Sequence, residues 1–358
     1  MIPAPIVSNV PGSFPRHVWE ERHPALFDRI RAAHPYPRPL REALDALLAE
    51  TLSGPMRPLP DGAVWDGWGA PYFGRPWLDA PFLWAESYFY RRLLDAVGYF
   101  APGPWQGVDP FAPMKRAELH DAPVPSLADP AELLLASLWG NRADLSFQIG
   151  LAATSGPAGP AAHLVADDSA AALAALDAGP ATVCLVADNA GGELLADLLL
   201  IDHLLATGRA GRVVLHVKPR PYYVSDATTT DVVDCLHRLP AVVSGRLVEA
   251  AAGGRLEIAT HWFHCAPFEF TGMPPDLAEE FAAASLVILK GDLNYRRLVG
   301  DRHWPAATPF AETVGYFPAP VVALRTLKSD AVVGVATVDG LPDDWRTSGR
   351  YALVQARI

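Results

Sequence analysis

Four positions of this chain combine residue types and spacing suited to chemistry: the pair Asp188-Asn189, then Asp226 and Lys328. Asp188 and Asn189 offer adjacent hard oxygen donors, and Asp226 adds a second carboxylate. Oxygen donors without a nearby His/Cys set suit Mg2+ or Mn2+ better than zinc, with Co2+ or Ni2+ as further options. Gly191-Gly192 stand where a helix is expected to open, and free backbone N–H groups there favour an anion. Arg325 and Lys328 would complete a phosphate clamp, a fork-shaped donor beside a point charge. Metal, cations and backbone amides are the equipment of phosphoryl transfer. Asp188 and Lys328 are therefore the candidate catalytic residues, with either Asp188 or a metal-activated water as nucleophile.

These residues need elements to position them. Short apolar runs from residue 154 onward alternate with helical patterns, and predict strands at His163–Ala166, Thr182–Ala187, Arg212–Val217, Leu286–Lys290, Val321–Arg325 and Val332–Ala336. Helices are predicted over Glu193–Leu205, Thr230–Leu239 and Asp276–Ala284. Near-continuous apolar strands separated by helices predict a three-layer α/β/α fold around a mostly parallel sheet. In such sheets ligands bind beyond the carboxyl ends of the strands. Four of the predicted strands end in carboxylates, amides, glycines and cations: Asp188-Asn189, the stretch 218–226, Lys290-Gly-Asp-Leu-Asn-Tyr295, and Arg325-Thr-Leu-Lys328. Taken singly, an Asp-Asn after a strand is more often a turn or helix cap than a ligand, and two cations are as readily a solvated edge. Their coincidence at four strand ends points to a site.

The first part of the chain reads differently. Leu40, Leu44, Leu47 and Leu48 follow a helical period, a second helix is predicted from about Pro81 to Tyr99, and a third after Asp129-Pro130. The expected organisation is a helical lobe, 1–153, capping an α/β/α metal- and substrate-binding domain, 154–358. Glu86, Asn141 and Asp144 are candidates to reach the site from the lobe. Trp84, Tyr88, Tyr90 and Trp139 read as core, as does His216 on an apolar strand.

Composition narrows the function further. The formal net charge is −11 and no cluster of basic residues occurs, which argues against a nucleic-acid partner. No apolar stretch is long enough for a membrane span, and the first residues lack a signal-peptide pattern. Three widely spaced cysteines form no disulfide framework or zinc motif, so a cytoplasmic setting is expected.

The segments Trp84–Arg92, Ser137–Ser146, Asp188–Glu193, Val217–Pro219 with Ser225-Asp226, Lys290–Arg296 and Arg325–Lys328 together resemble the damage-control phosphatases, formerly a domain of unknown function. The Arg-Thr-x-Lys tetrapeptide is similar to that of the third subfamily. The resemblance implies a metal held by Asp188, Asn189 and Asp226. It implies a substrate held by the loop Gly291, Asp292, Leu293, Asn294 and Tyr295 and by Lys328, with Arg325 nearby. The implied reaction is hydrolysis of small phosphorylated metabolites, sugar phosphates such as fructose 1-phosphate among them. Gly192 stands where the family often has an aromatic, and the first 75 residues match poorly. Two alternatives stand beside this reading. One is an S-adenosylmethionine-dependent carboxyl (glutamate) methyltransferase, against which the absence of a G-x-G-x-x-G turn argues. The other is a non-catalytic metal-binding protein.

Overall fold

The computed structural model describes residues 2–358 except 61, 127–128, 141–162 and 180. Seven strands form one sheet: β1 (Leu164–Asp167), β2 (Ala181–Val186), β3 (Ala210–Val217), β4 (Leu256–Thr260), β5 (Leu286–Lys290), β6 (Val321–Thr326) and β7 (Ala352–Arg357). Their order is β1-β7-β6-β5-β2-β3-β4, and every adjacent pair is parallel except β6 and β7.

Side chains alternate between the two faces of β2, as strand geometry requires. Val183 and Leu185 pack with Leu194, Leu198 and Ile201 of the helix Gly192–Ala206. Cys184 and Val186 pack with Leu277 and Phe281 of the helix Pro275–Ala282 on the other face. The sheet is thus covered on both sides, giving the three-layer α/β/α architecture expected from the near-continuous apolar strands. Leu133, Leu134 and Leu138 of the helix Pro130–Gly140 join the first of these cores rather than the aromatic lobe.

A separate aromatic core holds the N-terminal helices. Trp19, Phe27, Trp77, Tyr88 and Phe89 are fully enclosed there, and Val224 and Ala331 of the sheet domain belong to the same cluster. Asp301 ties the two parts together. Its Oδ2 accepts from the Leu83 N–H at 3.1 Å, capping the helix Phe82–Ala96, while both of its oxygens bind the Arg296 guanidinium at 2.9 Å.

Two strands were not foreseen. β4 is a half-exposed edge strand carrying Glu257, and β7 carries Gln355 within its buried run and ends in the half-buried Arg357. The predicted strand Val332–Ala336 is absent. Gly334 there takes φ +73°, and the backbone bonds elsewhere: Gly334 N–H to Thr308 O at 2.7 Å and Val335 N–H to Ala306 O at 2.8 Å. The residues are apolar because the segment is buried as a loop, and periodicity alone does not separate these cases.

Candidate functional site

The chain runs from β2 to β3 on one side of the sheet, then returns to place β5 on the other side of β2. The crevice beyond the carboxyl ends of β2 and β5 is therefore a topological switch point. Asp188 and Asn189 leave β2 into it. Asp226 arrives from the segment after β3, and Asn189 and Asp226 pair as an isolated antiparallel bridge. Ala227 N–H donates to Asp188 O at 2.8 Å and Ala190 N–H to Ser225 O at 2.7 Å, so the two segments are zipped together.

Hydrogen bonds set the orientation of the Asn189 amide. Its Nδ2 donates to Glu193 Oε2 at 2.9 Å and Asp188 Oδ2 at 3.2 Å, while its Oδ1 accepts from Ser225 Oγ at 2.7 Å. Asp226 Oδ2 accepts from the Tyr223 N–H at 3.2 Å. Gly291 closes the site from β5. Its φ is +81°, and a Cβ there would collide with the Asp188 carboxylate. Only glycine permits both that backbone and that approach.

Asp188, Asn189, Asp226, Asp292, Leu293 and Lys328 line one cavity of about 70 Å³, and Glu86 reaches it from the lobe. Arg296 also lines it and holds Glu86 Oε2 at 3.1 Å. Burial pushes the Glu86 carboxyl above its ordinary value, and the Arg296 charge opposes that shift. Asn141 and Asp144 lie outside the described residues.

Several expected site residues are not brought to the cavity. The stretch Gly291–Tyr295 is no loop but the start of the helix Gly291–Val299. Helical spacing turns Asp292, Leu293 and Arg296 toward the cavity and Asn294 and Tyr295 toward the sheet. Asn294 Nδ2 donates to Lys290 O at 2.8 Å, and Tyr295 OH donates to Gln355 Oε1 at 2.9 Å. Arg325 is fully buried behind Asp292. The Gly191-Gly192 turn already has its anion: Gly192 N–H donates to Glu118 Oε1 at 2.9 Å, and a Cβ on Gly191 would strike that carboxylate.

Phe14, Arg22, Tyr223, Ser225 and Arg296 line the cavity and were not singled out in the sequence. Tyr223, Ser225 and Arg296 lie inside the quoted segments. Phe14 and Arg22 come from the first 75 residues, where no signal distinguished them.

The damage-control phosphatase ARMT1-like domain model matches residues 18–340. The chain belongs to this family. The damage-control phosphatase ARMT1 of Danio rerio is 30% identical, covering 78% of this chain and 74% of that protein. The Xenopus laevis protein of the same name is 31% identical over 78% of this chain and 75% of its own. For the Homo sapiens protein the figures are 30%, 78% and 75%. A solved DUF89 family protein from Pyrococcus horikoshii shares the fold, with TM-score 0.50 and 17% identity over 87% of this chain and 90% of that one.

Within this family member, Lys290 ends β5 next to the site, but its side chain is placed in the core. Its Nζ donates to Ser137 O at 2.5 Å and lies 2.9 Å from Glu193 Oε1 and 3.0 Å from Asp197 Oδ1. Burial pushes the Asp197 carboxyl up to about 6, against the pull of Lys290. Because Glu193 also accepts from Asn189, this ion cluster braces the site from below. Lys290→Met strands two buried carboxylates and is expected to lower stability by about 3–5 kcal/mol. Urea denaturation measures it; an unchanged midpoint would refute the bracing role.

Proposed function

We infer that this protein is a divalent-metal-dependent phosphatase acting on phosphomonoesters of small metabolites, sugar phosphates such as fructose 1-phosphate included. The observation that carries the reading is the convergence of the buried residues Asp188, Asn189, Asp226 and Lys328 on one cavity at the switch point. Family membership supports it independently.

The residues fit a hard cation. Among the described residues no group of three or more His, Cys, Asp or Glu side chains is placed to hold a metal. The donor set here is instead two carboxylates and an amide oxygen, suited to an ion that keeps waters of its own. The cavity faces four carboxylates, Glu86, Asp188, Asp226 and Asp292, with three cations, Arg22, Arg296 and Lys328. A phosphate dianion would meet net repulsion there without further positive charge. Bound Mg2+ or Mn2+ supplies that charge and polarises a phosphoryl oxygen.

The chain's own groups do the rest. Lys328 neutralises charge on the phosphoryl oxygens as it builds. Asp188, set against Gly291 and bonded by Asn189, stays fixed on the reacting side. Overall, an oxygen from water bonds to phosphorus, the ester P–O bond breaks, and the departing oxygen takes up a proton to leave an alcohol and inorganic phosphate.

The test is a panel of small phosphomonoesters assayed with Mg2+, Mn2+, Co2+ and Ni2+, without S-adenosylmethionine. Phosphate release that requires one of the metals is expected. Robust methyl transfer to a carboxylate with no ester cleaved would replace the reading by its methyltransferase rival.

A further inference from the structure

The wall that the N-terminal lobe gives the site opens into a second, smaller recess. Arg22, Glu86 and Tyr223 line both spaces, and the far side of the recess is formed by His23, Tyr90 and Val224. Arg22 ends the π-helical turn Val18–Arg22, and His23 begins the helix that follows. Such turns break the regular helical spacing and are common at functional sites. Here consecutive residues, Arg22 and His23, both face the recess.

His23 is 1% exposed, and its ring stacks on Phe89 at 3.8 Å and lies perpendicular to the Trp19 ring at 4.7 Å. Neither ring nitrogen has a hydrogen-bond partner among the described residues. Buried polar atoms are rarely left unsatisfied, so an imidazole with both nitrogens orphaned beside an active-site cavity calls for a ligand group. Burial, helped by the Arg22 charge, holds this ring well below its ordinary pKa and hence neutral. A neutral imidazole presents one donor and one acceptor, which is the complement of a hydroxyl. It is a poor match for a second anionic group.

We propose that this recess is the leaving-group subsite, in which His23, flanked by Arg22 and Glu86, binds hydroxyls of a polyhydroxylated phosphate ester whose phosphoryl group lies among Asp188, Asp226 and Lys328. The proposal rests on the phosphatase reading and narrows it. The subsite selects a sugar-like leaving group over an alkyl one of similar reach, because an alkyl chain leaves the His23 nitrogens unpaired.

The metal-loaded enzyme is assayed on fructose 1-phosphate and on propyl phosphate. His23→Phe keeps a stacking ring and removes both nitrogens. It should raise KM for fructose 1-phosphate about tenfold with kcat little changed, and so lower kcat/KM roughly tenfold more for that ester than for propyl phosphate. His23→Gln, which restores a donor and an acceptor without the ring, should recover part of the preference. It also keeps the test open should the phenylalanine variant fold poorly. Equal changes on both esters, or no change, would overturn the subsite and leave His23 a core residue satisfied by water. Equal kcat/KM on the two esters in the unmodified enzyme would overturn it as well, with the phosphatase reading intact. If no metal supports cleavage of either ester, both fall.

Discussion

Replacing Asp188 or Asp226 by alanine is expected to lower kcat by about 10³-fold or more, a loss of about 4 kcal/mol in transition-state stabilisation. Both carboxylates face the cavity, and either change leaves one carboxylate and the Asn189 amide oxygen of the three proposed donors. The fold should survive either change. The bridge between Asn189 and Asp226 and the bonds from Ala227 to Asp188 and from Ala190 to Ser225 are all made by backbone atoms. Asp188 borders the cavity and the Gly291 backbone, so truncating it enlarges a space that already exists. Calorimetric titration with Mn2+ should therefore show weakened binding in variants whose melting temperatures change little. Thorough EDTA treatment should silence the unmodified enzyme, and restoring the metal should revive it. Activity that persists after chelation, or an Asp226→Ala variant with normal kcat and normal Mn2+ affinity, would remove the metal from the mechanism.

The reach of the sequence differed among the residues of this site. Asp188, Asn189 and Lys328 were recognisable because they lie within two or three residues of a strand's end, and Asp226 because it lies in the polar stretch after β3; strand ends on one edge of a parallel sheet must gather. Asn294 and Tyr295 were misplaced because Gly291 looks like a loop glycine. In fact it opens a helix, and the 3.6-residue period then turns its neighbours to opposite sides. Arg22 and His23 carried no signal at all. They reach the site only through packing of an aromatic lobe against the sheet domain, and no local pattern in residues 14–33 encodes that long-range contact. β4 escaped because an edge strand needs few apolar residues. β7 escaped because Gln355 sits among apolar neighbours, where Tyr295 OH donates to its Oε1 and its Nε2 donates to Val333 O at 2.8 Å.

Arg325 and Lys328, three residues apart, are expected to separate cleanly on mutation. β6 ends at Thr326, so Arg325 still belongs to the strand while Lys328 lies beyond it and lines the cavity. Every nitrogen of the Arg325 guanidinium is engaged. Its Nε donates to Asp292 Oδ1 at 2.8 Å, its Nη2 to Ser329 O at 3.0 Å and Ser329 Oγ at 2.9 Å, and its Nη1 to Ala331 O. The group also lies 4.3 Å from the centre of the Tyr295 ring. One ammonium cannot reproduce that planar fork, so Arg325→Lys should cost roughly 2 kcal/mol of stability while changing kcat only modestly. Lys328 sits on the other side of the division. A point charge that meets the phosphoryl oxygens most strongly as their charge builds acts on kcat rather than on substrate binding. Lys328→Met keeps the length of the side chain, removes the charge, and should lower kcat by about 10²-fold, the usual cost of one electrostatic donor. Steady-state kinetics on a cleaved sugar phosphate and melting temperatures for both variants distinguish the roles. A Lys328→Met enzyme with near-normal kcat/KM and normal Mn2+ affinity would make Lys328 a bystander at the strand end. An Arg325→Lys enzyme that keeps full stability would show that the loop from Ser329 to Ala331 does not depend on the guanidinium beneath it.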